Sequence, residues 1–339
     1  MNDIESIKKQ FTLIVWGHQK VLHSHSFIHQ AFTRAADRMG FNVGWFPDAP
    51  ESVASLNPDG KYIFICEGQS VQHLPWLKNS KYLLHNVDNH FVQQHDNWGK
   101  SFQTYMREDF NNMHVRSTNA TAPNHFQWTE NGDCFFSPWA TDLMPDEMDE
   151  GTVGADWGTS DYVAWVGTLN GTGTEFGNTS TVMPFLRAAS EDQKELVLFG
   201  PYSFELCDSH GNVVENRPPN PISAEDNRLL VQSSFLAPAI VGSWQERRGY
   251  VPCRLFKNIS YGQLGITNSK AVFDVIEGQA LCNKDTAALY HEAKEFVLGK
   301  PDKASKMAKS AFHLVKEKHT YVNRLTSLLL FLFDTTEER

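Results

Sequence analysis

The chain has 339 residues, which at usual domain sizes of about 100–200 residues leads to an expectation of two domains. Hydrophobic residues make up 41% and charged residues 21%, the composition of a chain that buries a core and not of a disordered one. A formal charge of −10 without any Lys/Arg block excludes a duplex nucleic acid partner, whose phosphates would need a basic face, but leaves room for a small phosphorylated ligand held by a few local cations.

The first residues, Met1-Asn2-Asp3-Ile4-Glu5, include no basic segment leading into an apolar stretch. No secretory signal is therefore expected, and the chain reads as cytoplasmic. Phe11 to Trp16 is a short apolar run closed by Gly17, the pattern of a strand buried on both faces. Phe27, Ile28, Ala31, Phe32, Ala35 and Met39 recur with helical spacing up to Gly40. Strands are expected again at Phe41 to Phe46, Tyr62 to Cys66 and Tyr82 to His85. Strands alternating with helices predict a parallel sheet.

Between Ser137 and Trp157 prolines, glycines and acidic residues accumulate, marking a linker. The alternation then restarts with a strand at Asp161 to Val166 that runs into a Gly/Thr-rich loop, Gly167 to Gly177. A helix near Val182 to Ala189, a strand at Glu195 to Phe199 and an exposed loop at Asp208 to Pro221 follow. Then come a helix near Glu225 to Gln232, a strand at Ala237 to Val241, a helix begun by Pro252, a strand at Gly265 to Thr267, and helices to the C-terminus. The expected architecture is α/β: an N-terminal Rossmann-like domain over 1–140, a linker over 141–157, a C-terminal Rossmann-like domain over 158–315, and a helix over 316–339 packing back. The longest apolar run, Leu328 to Phe333, is far shorter than the about 20 residues that span a bilayer, so no transmembrane segment is expected. The five cysteines are dispersed, odd in number and never in a CxxC pair, which fits a reducing compartment.

The segment Gly249 to Thr267 carries the most chemistry. Pro252 suits a first helical position, and Arg254 and Lys257, three residues apart, share a helix face. Cations near a helix N-terminus oppose its dipole, so a bound anion would complete the arrangement. The run Tyr250-Val251-Pro252-Cys253-Arg254-Leu255-Phe256 resembles the Y-V-T-E-K-L-F donor motif of α1,3/4-fucosyltransferases. The longer run Arg254 to Gly262 resembles the R-x-F-E-A-x-A-x-G helix of GT-B glycosyltransferases related to spore-maturation proteins. The resemblance implies a GT-B fold, two Rossmann-like domains facing across a cleft, with a nucleotide-diphosphate sugar held by the second. It places Arg254 at the donor diphosphate, with Lys257 and Asn258 on the same helix. Cys253 and Lys257 depart from it, standing where the two patterns place an acid for the ribose. Tyr162 to Leu169 resembles the strand and glycine loop that open such a donor domain, which adds Gly167 and Thr168 to the donor site.

In open α/β sheets ligands meet the carboxyl ends of the strands. That rule selects His18 after the first strand, Glu67 after the third, and His85 and Asp88 after the fourth. Transfer to a hydroxyl acceptor, a glycan or related molecule, needs a general base, and His18, Glu67 and Asp88 are the candidates. Histidines crowd the first half. His25 and His29 lie one helical turn apart, and His85, His90 and His95 recur every five residues, but neither set matches a metal signature. No metal and no cofactor beyond the nucleotide-diphosphate sugar substrate is expected. Two other readings are a non-catalytic protein of two α/β domains closing on a small ligand, and a metal-assisted hydrolase built on these histidines.

Overall fold

The computed structural model describes residues 4–19, 24–67, 71–75, 77–85, 113–117, 134–169, 177–200, 222–247 and 249–333. The chain forms two compact units, one of residues 1–142 with 321–339 and the other of residues 143–320.

In the first unit, α1 (Ile4–Gln10) leads into β1 (Thr12–Trp16), and α2 (Ser24–Arg38) follows. Next come β2 (Val43–Phe46), α3 (Pro50–Ala54), β3 (Tyr62–Glu67), β4 (Lys81–His85), β5 (Met113–Ser117) and β6 (Cys134–Phe136). The sheet order is β2-β1-β3-β4-β5-β6. The pairs β1–β2, β1–β3 and β3–β4 are parallel, while β4–β5 and β5–β6 are antiparallel. The expected parallel sheet is therefore mixed at one side. Leu13 to Trp16, Ile63 to Cys66 and Tyr82 to Leu84 are all buried, which explains why these strands read as continuous apolar runs. One face of α2 buries Ile28, Ala31, Phe32, Ala35 and Ala36. The Phe32 ring meets Tyr321 edge-on at 4.8 Å, so the C-terminal helix belongs to this unit.

The second unit begins where a linker was expected. Leu143, Met148, Val153 and Trp157 lie in its core, and Trp157 donates its indole N–H to Gln263 Oε1 at 3.2 Å. Gly262 fixes this segment: its carbonyl accepts from Gly154 N at 3.0 Å, its φ is +102°, and a Cβ there would lie 2.4 Å from the Thr152 carbonyl oxygen. The unit continues with β7 (Tyr162–Val166), α4 (Thr179–Glu191), β8 (Glu195–Phe199), α5 (Ala224–Gln232) and α6 (Ser243–Arg247). Then follow α7 (Cys253–Ser260), β9 (Ile266–Thr267), α8 (Lys270–Val275), β10 (Leu281–Cys282), α9 (Thr286–Gly299) and α10 (Pro301–Lys318). A last helix, α11 (Tyr321–Phe333), returns to the first unit.

β7 pairs with β8 and β9 with β10, all parallel. Ala237 to Val241 was expected as a strand, but no regular ladder forms there, only scattered bonds in and beside the segment. Ala164 N donates to Leu236 O at 3.0 Å and Ala239 N to Ile266 O at 2.8 Å, which joins the two pairs across it. Pro238 supplies no N–H, so a continuous ladder cannot form there. Among the described residues no helix is long and apolar enough to cross a membrane.

Candidate active site

Two groups of side chains sit at strand carboxyl ends, one in each unit.

In the first unit β1 ends in a turn of unusual conformation. Gly17 has φ +88° and His18, a non-glycine residue, has φ +60°. A left-handed residue of this kind costs about 1 kcal/mol or more unless its surroundings hold it. Here the holding groups are visible. The Gly17 carbonyl accepts from His29 Nδ1 at 3.0 Å and from Trp45 Nε1 at 2.9 Å, and Gly17 N donates to Phe46 O at 2.8 Å. The turn points His18 at Glu67, the last residue of β3, and His18 Nε2 hydrogen-bonds to Glu67 Oε2. On the other carboxylate oxygen, Oε1, sits His25 Nδ1 at 3.3 Å. His25 lies in the first turn of α2, the end of that helix that follows the β1 turn.

Glu67 is 2% exposed, so its carboxylate exchanges water for these two imidazoles. His29 and His85 form the floor. Burial, with smaller contributions from His18 and His25, lowers the His29 pKa from 6.5 to about 3, against the opposing Gly17 carbonyl and Glu67. His29 is therefore neutral at ordinary pH. Its Nδ1–H goes to Gly17, and its Nε2 lone pair accepts from His85 Nε2–H at 2.9 Å. The His85 ring stacks on His25 at 5.6 Å and meets Trp139 edge-on at 5.3 Å. The whole arrangement presents a buried carboxylate between two imidazoles, backed by neutral His29 and by His85.

Of the expected bases, His18 and Glu67 thus form one hydrogen-bonded pair. Asp88, together with His90 and His95, lies outside the described residues. His25 and His29, one helical turn apart in sequence, part ways here: His25 faces Glu67 while His29 holds the turn.

In the second unit Arg254 lies in the first turn of α7. Pro252 stands at the cap position, φ −74° and ψ 146°, and not at the first helical residue as expected; the helix begins at Cys253 with no side-chain cap. Lys257 consequently falls in the last turn of this short helix, and only Arg254 opposes the dipole at its start. The Lys257 ammonium lies 5.9 Å from the Tyr261 ring centroid. The Arg254 guanidinium turns toward the end of β7. Its Nε donates to Val166 O at 2.9 Å, Nη1 approaches Ile240 O at 3.5 Å, and the group lies 3.9 Å over the Trp165 ring. Burial lowers its pKa from the usual guanidinium value, opposed only by Cys253 and Tyr250. Among the described residues no carboxylate pairs with it.

Gly167 makes that position possible. Its φ is +154°, and a Cβ there would lie 2.0 Å from Arg254 Nη2. Thr168 is exposed, and its carbonyl accepts from Asn178 Nδ2 at 2.9 Å. Asn258, expected at the donor, is 5% exposed and donates its amide to Ala237 O at 2.8 Å, a bond that ties α7 to the segment after α5. Most of the glycine loop, 170–176, and the loop expected at Asp208 to Pro221 lie outside the described residues.

No family model matches the chain, and no curated protein does. Among solved structures, a co-structure of S. aureus MnaA with UDP is similar with a TM-score of 0.45 and 10% identity, over 95% of this chain and 97% of that one. At that score the likeness decides nothing about chemistry.

Proposed function

We propose that the protein is a nucleotide-sugar-dependent glycosyltransferase of the GT-B type, moving a sugar to a hydroxyl acceptor. The observation that carries this reading is the half-buried Arg254 guanidinium at the carboxyl end of β7, with backbone carbonyls and an indole as its partners and no acid beside it among the described residues. A partly desolvated cation of this kind gains from an anion beside it, and a diphosphate supplies one. The uncapped start of α7 adds backbone N–H groups of the right polarity at the same place. As the donor's glycosyl bond breaks, charge grows on the leaving diphosphate, and a preorganised guanidinium stabilises it there.

The acceptor chemistry is assigned to the first unit. In the tautomer that donates Nε2–H to Glu67, the His18 lone pair lies on Nδ1. That nitrogen takes the acceptor hydroxyl proton, and the buried Glu67 carboxylate stabilises the imidazolium that results. His25 on the second carboxylate oxygen keeps Glu67 from turning away.

Isothermal titration of the purified chain with UDP- and GDP-sugars tests the donor half. Binding by the parent that falls tenfold or more in Arg254→Ala supports the reading. Equal binding by the parent and this variant would leave Arg254 a structural residue and remove the main support for a transferase.

A further inference from the structure

The first-unit cluster has a second property that proton transfer does not require. His18, His25 and Glu67 each offer a ligand atom, and these three atoms lie within 4.8 Å of one another. They come from three elements: the turn after β1, the first turn of α2 and the last residue of β3. A tetrahedral zinc ion with bonds of about 2.0–2.2 Å sets its ligand atoms roughly 3.4 Å apart, and His25 Nδ1 is 3.3 Å from Glu67 Oε1. Two imidazoles and a carboxylate with a fourth position open are a donor set suited to Zn2+. Packing around the cluster limits how far two of these ligands can move. Hydrogen bonds to the Gly17 carbonyl hold the turn that carries His18, and the His25 ring is stacked on His85 and set edge-on to Trp139 at 6.1 Å.

We infer that His18, His25 and Glu67 form a zinc site that regulates the proposed base. The inference of a site stands on this geometry alone; its regulatory meaning rests on the transferase reading. Coordination through His18 Nε2 moves the proton on that nitrogen to Nδ1. The Nδ1 lone pair is then gone, so a zinc-bound His18 cannot accept a proton from the acceptor. Metal occupancy and the base role exclude one another at the same ring.

The test is zinc titration of chelator-stripped protein near neutral pH, in competition with a chromophoric chelator, for the parent, His25→Asn and Glu67→Gln. Glu67→Gln keeps the side-chain shape, and circular dichroism of each variant establishes that it is folded. One equivalent bound by the parent, and affinity lower by about 100-fold or more in both folded variants, supports the site. No stoichiometric binding by the parent, or equal binding by a folded Glu67→Gln, overturns it. Transfer activity is then followed with and without added zinc. Inhibition relieved by chelator supports the regulatory reading. Activity that requires zinc overturns regulation and the base assignment together, while the site itself stands.

Discussion

The strand carboxyl ends of the two units carry opposite kinds of chemistry. The first unit gathers titratable groups: two imidazoles on a buried carboxylate, with His29 and His85 beside them. The second presents a guanidinium, whose charge does not change at any working pH, fixed by backbone carbonyls and an indole. A titratable group can take part in bond making, whereas a permanent charge can only bind and stabilise. The division teaches that the two sites should fail differently when altered: the first in rate, the second in affinity.

The largest effect is expected at His18. His18→Ala should lower the turnover of sugar transfer by about 100- to 10,000-fold, the usual contribution of a general base, with nucleotide-sugar affinity nearly unchanged. Steady-state kinetics alongside titration with the donor separates the two quantities. A loss of donor affinity as large as the loss of rate would break the division. Arg254→Ala should behave in the reverse sense. A charge-assisted bond is worth about 1.5–3 kcal/mol, so donor affinity should fall by about one to two decades. Because the same guanidinium also bonds Val166 O and covers Trp165, this variant should melt at a lower temperature as well. Arg254→Lys should recover part of the affinity, since a point charge replaces a planar fork.

Gly167 lets the comparison be sharpened without removing a charge. In Gly167→Ala a methyl group would stand 2.0 Å from Arg254 Nη2, on a backbone with φ +154°. The guanidinium must move, and the strained backbone should cost about 1–3 kcal/mol of stability. Donor affinity should fall although the cation is still present. Thermal unfolding and donor titration of the same preparation check this, and unchanged affinity would mean that the orientation of Arg254 is immaterial.

Much of the fold could be read from periodicity, because strands buried on both faces leave unbroken apolar runs such as Leu13 to Trp16 and Ile63 to Cys66. The segment Ala237 to Val241 misleads for a reason visible in its composition: it is apolar enough for a strand, but Pro238 withholds the N–H a ladder needs. Residues 143–157 look like a linker by their Pro, Gly and acid content, while a few widely spaced apolar side chains among them enter the core. For the site, the rule that ligands meet strand ends selects His18 and Glu67 without any knowledge of contacts. It does not reach His25, whose neighbourhood depends on how α2 leaves the β1 turn. The same rule, carried one step on, would have found it: the first turn of a helix that follows a strand lies at that strand's carboxyl end. Trp139 was beyond reach, since its place beside His85 comes from a segment more than fifty residues away in sequence. The pattern around Arg254 identifies a cation at a helix start, but its turn toward β7 is set by tertiary contacts with Val166 and Trp165.

The smallest expected effect comes from a control inside the second unit. Lys294 pairs with Asp192, which also accepts from the Tyr290 hydroxyl at 2.7 Å, so this cation has the acidic partner that Arg254 lacks among the described residues. Partial burial works to raise the Asp192 pKa, but the bonds from Lys294 and Tyr290 outweigh it and hold the carboxyl below its usual range. A depressed carboxylate pKa gives stability that is fully present above the unfolded value and is lost as pH falls through the folded one. Asp192→Asn should therefore destabilise the protein at neutral pH by about 0.5–1 kcal/mol, as expected for a partly exposed pair. The difference from the parent should close as pH drops below the ordinary carboxylate range, where both side chains are neutral. Donor affinity should not change, because this pair neutralises itself and needs no ligand. Thermal unfolding across that pH range together with one donor titration decides the matter. If Asp192→Asn weakened donor binding as Arg254→Ala does, a missing acidic partner would no longer distinguish Arg254 from other cations of its unit.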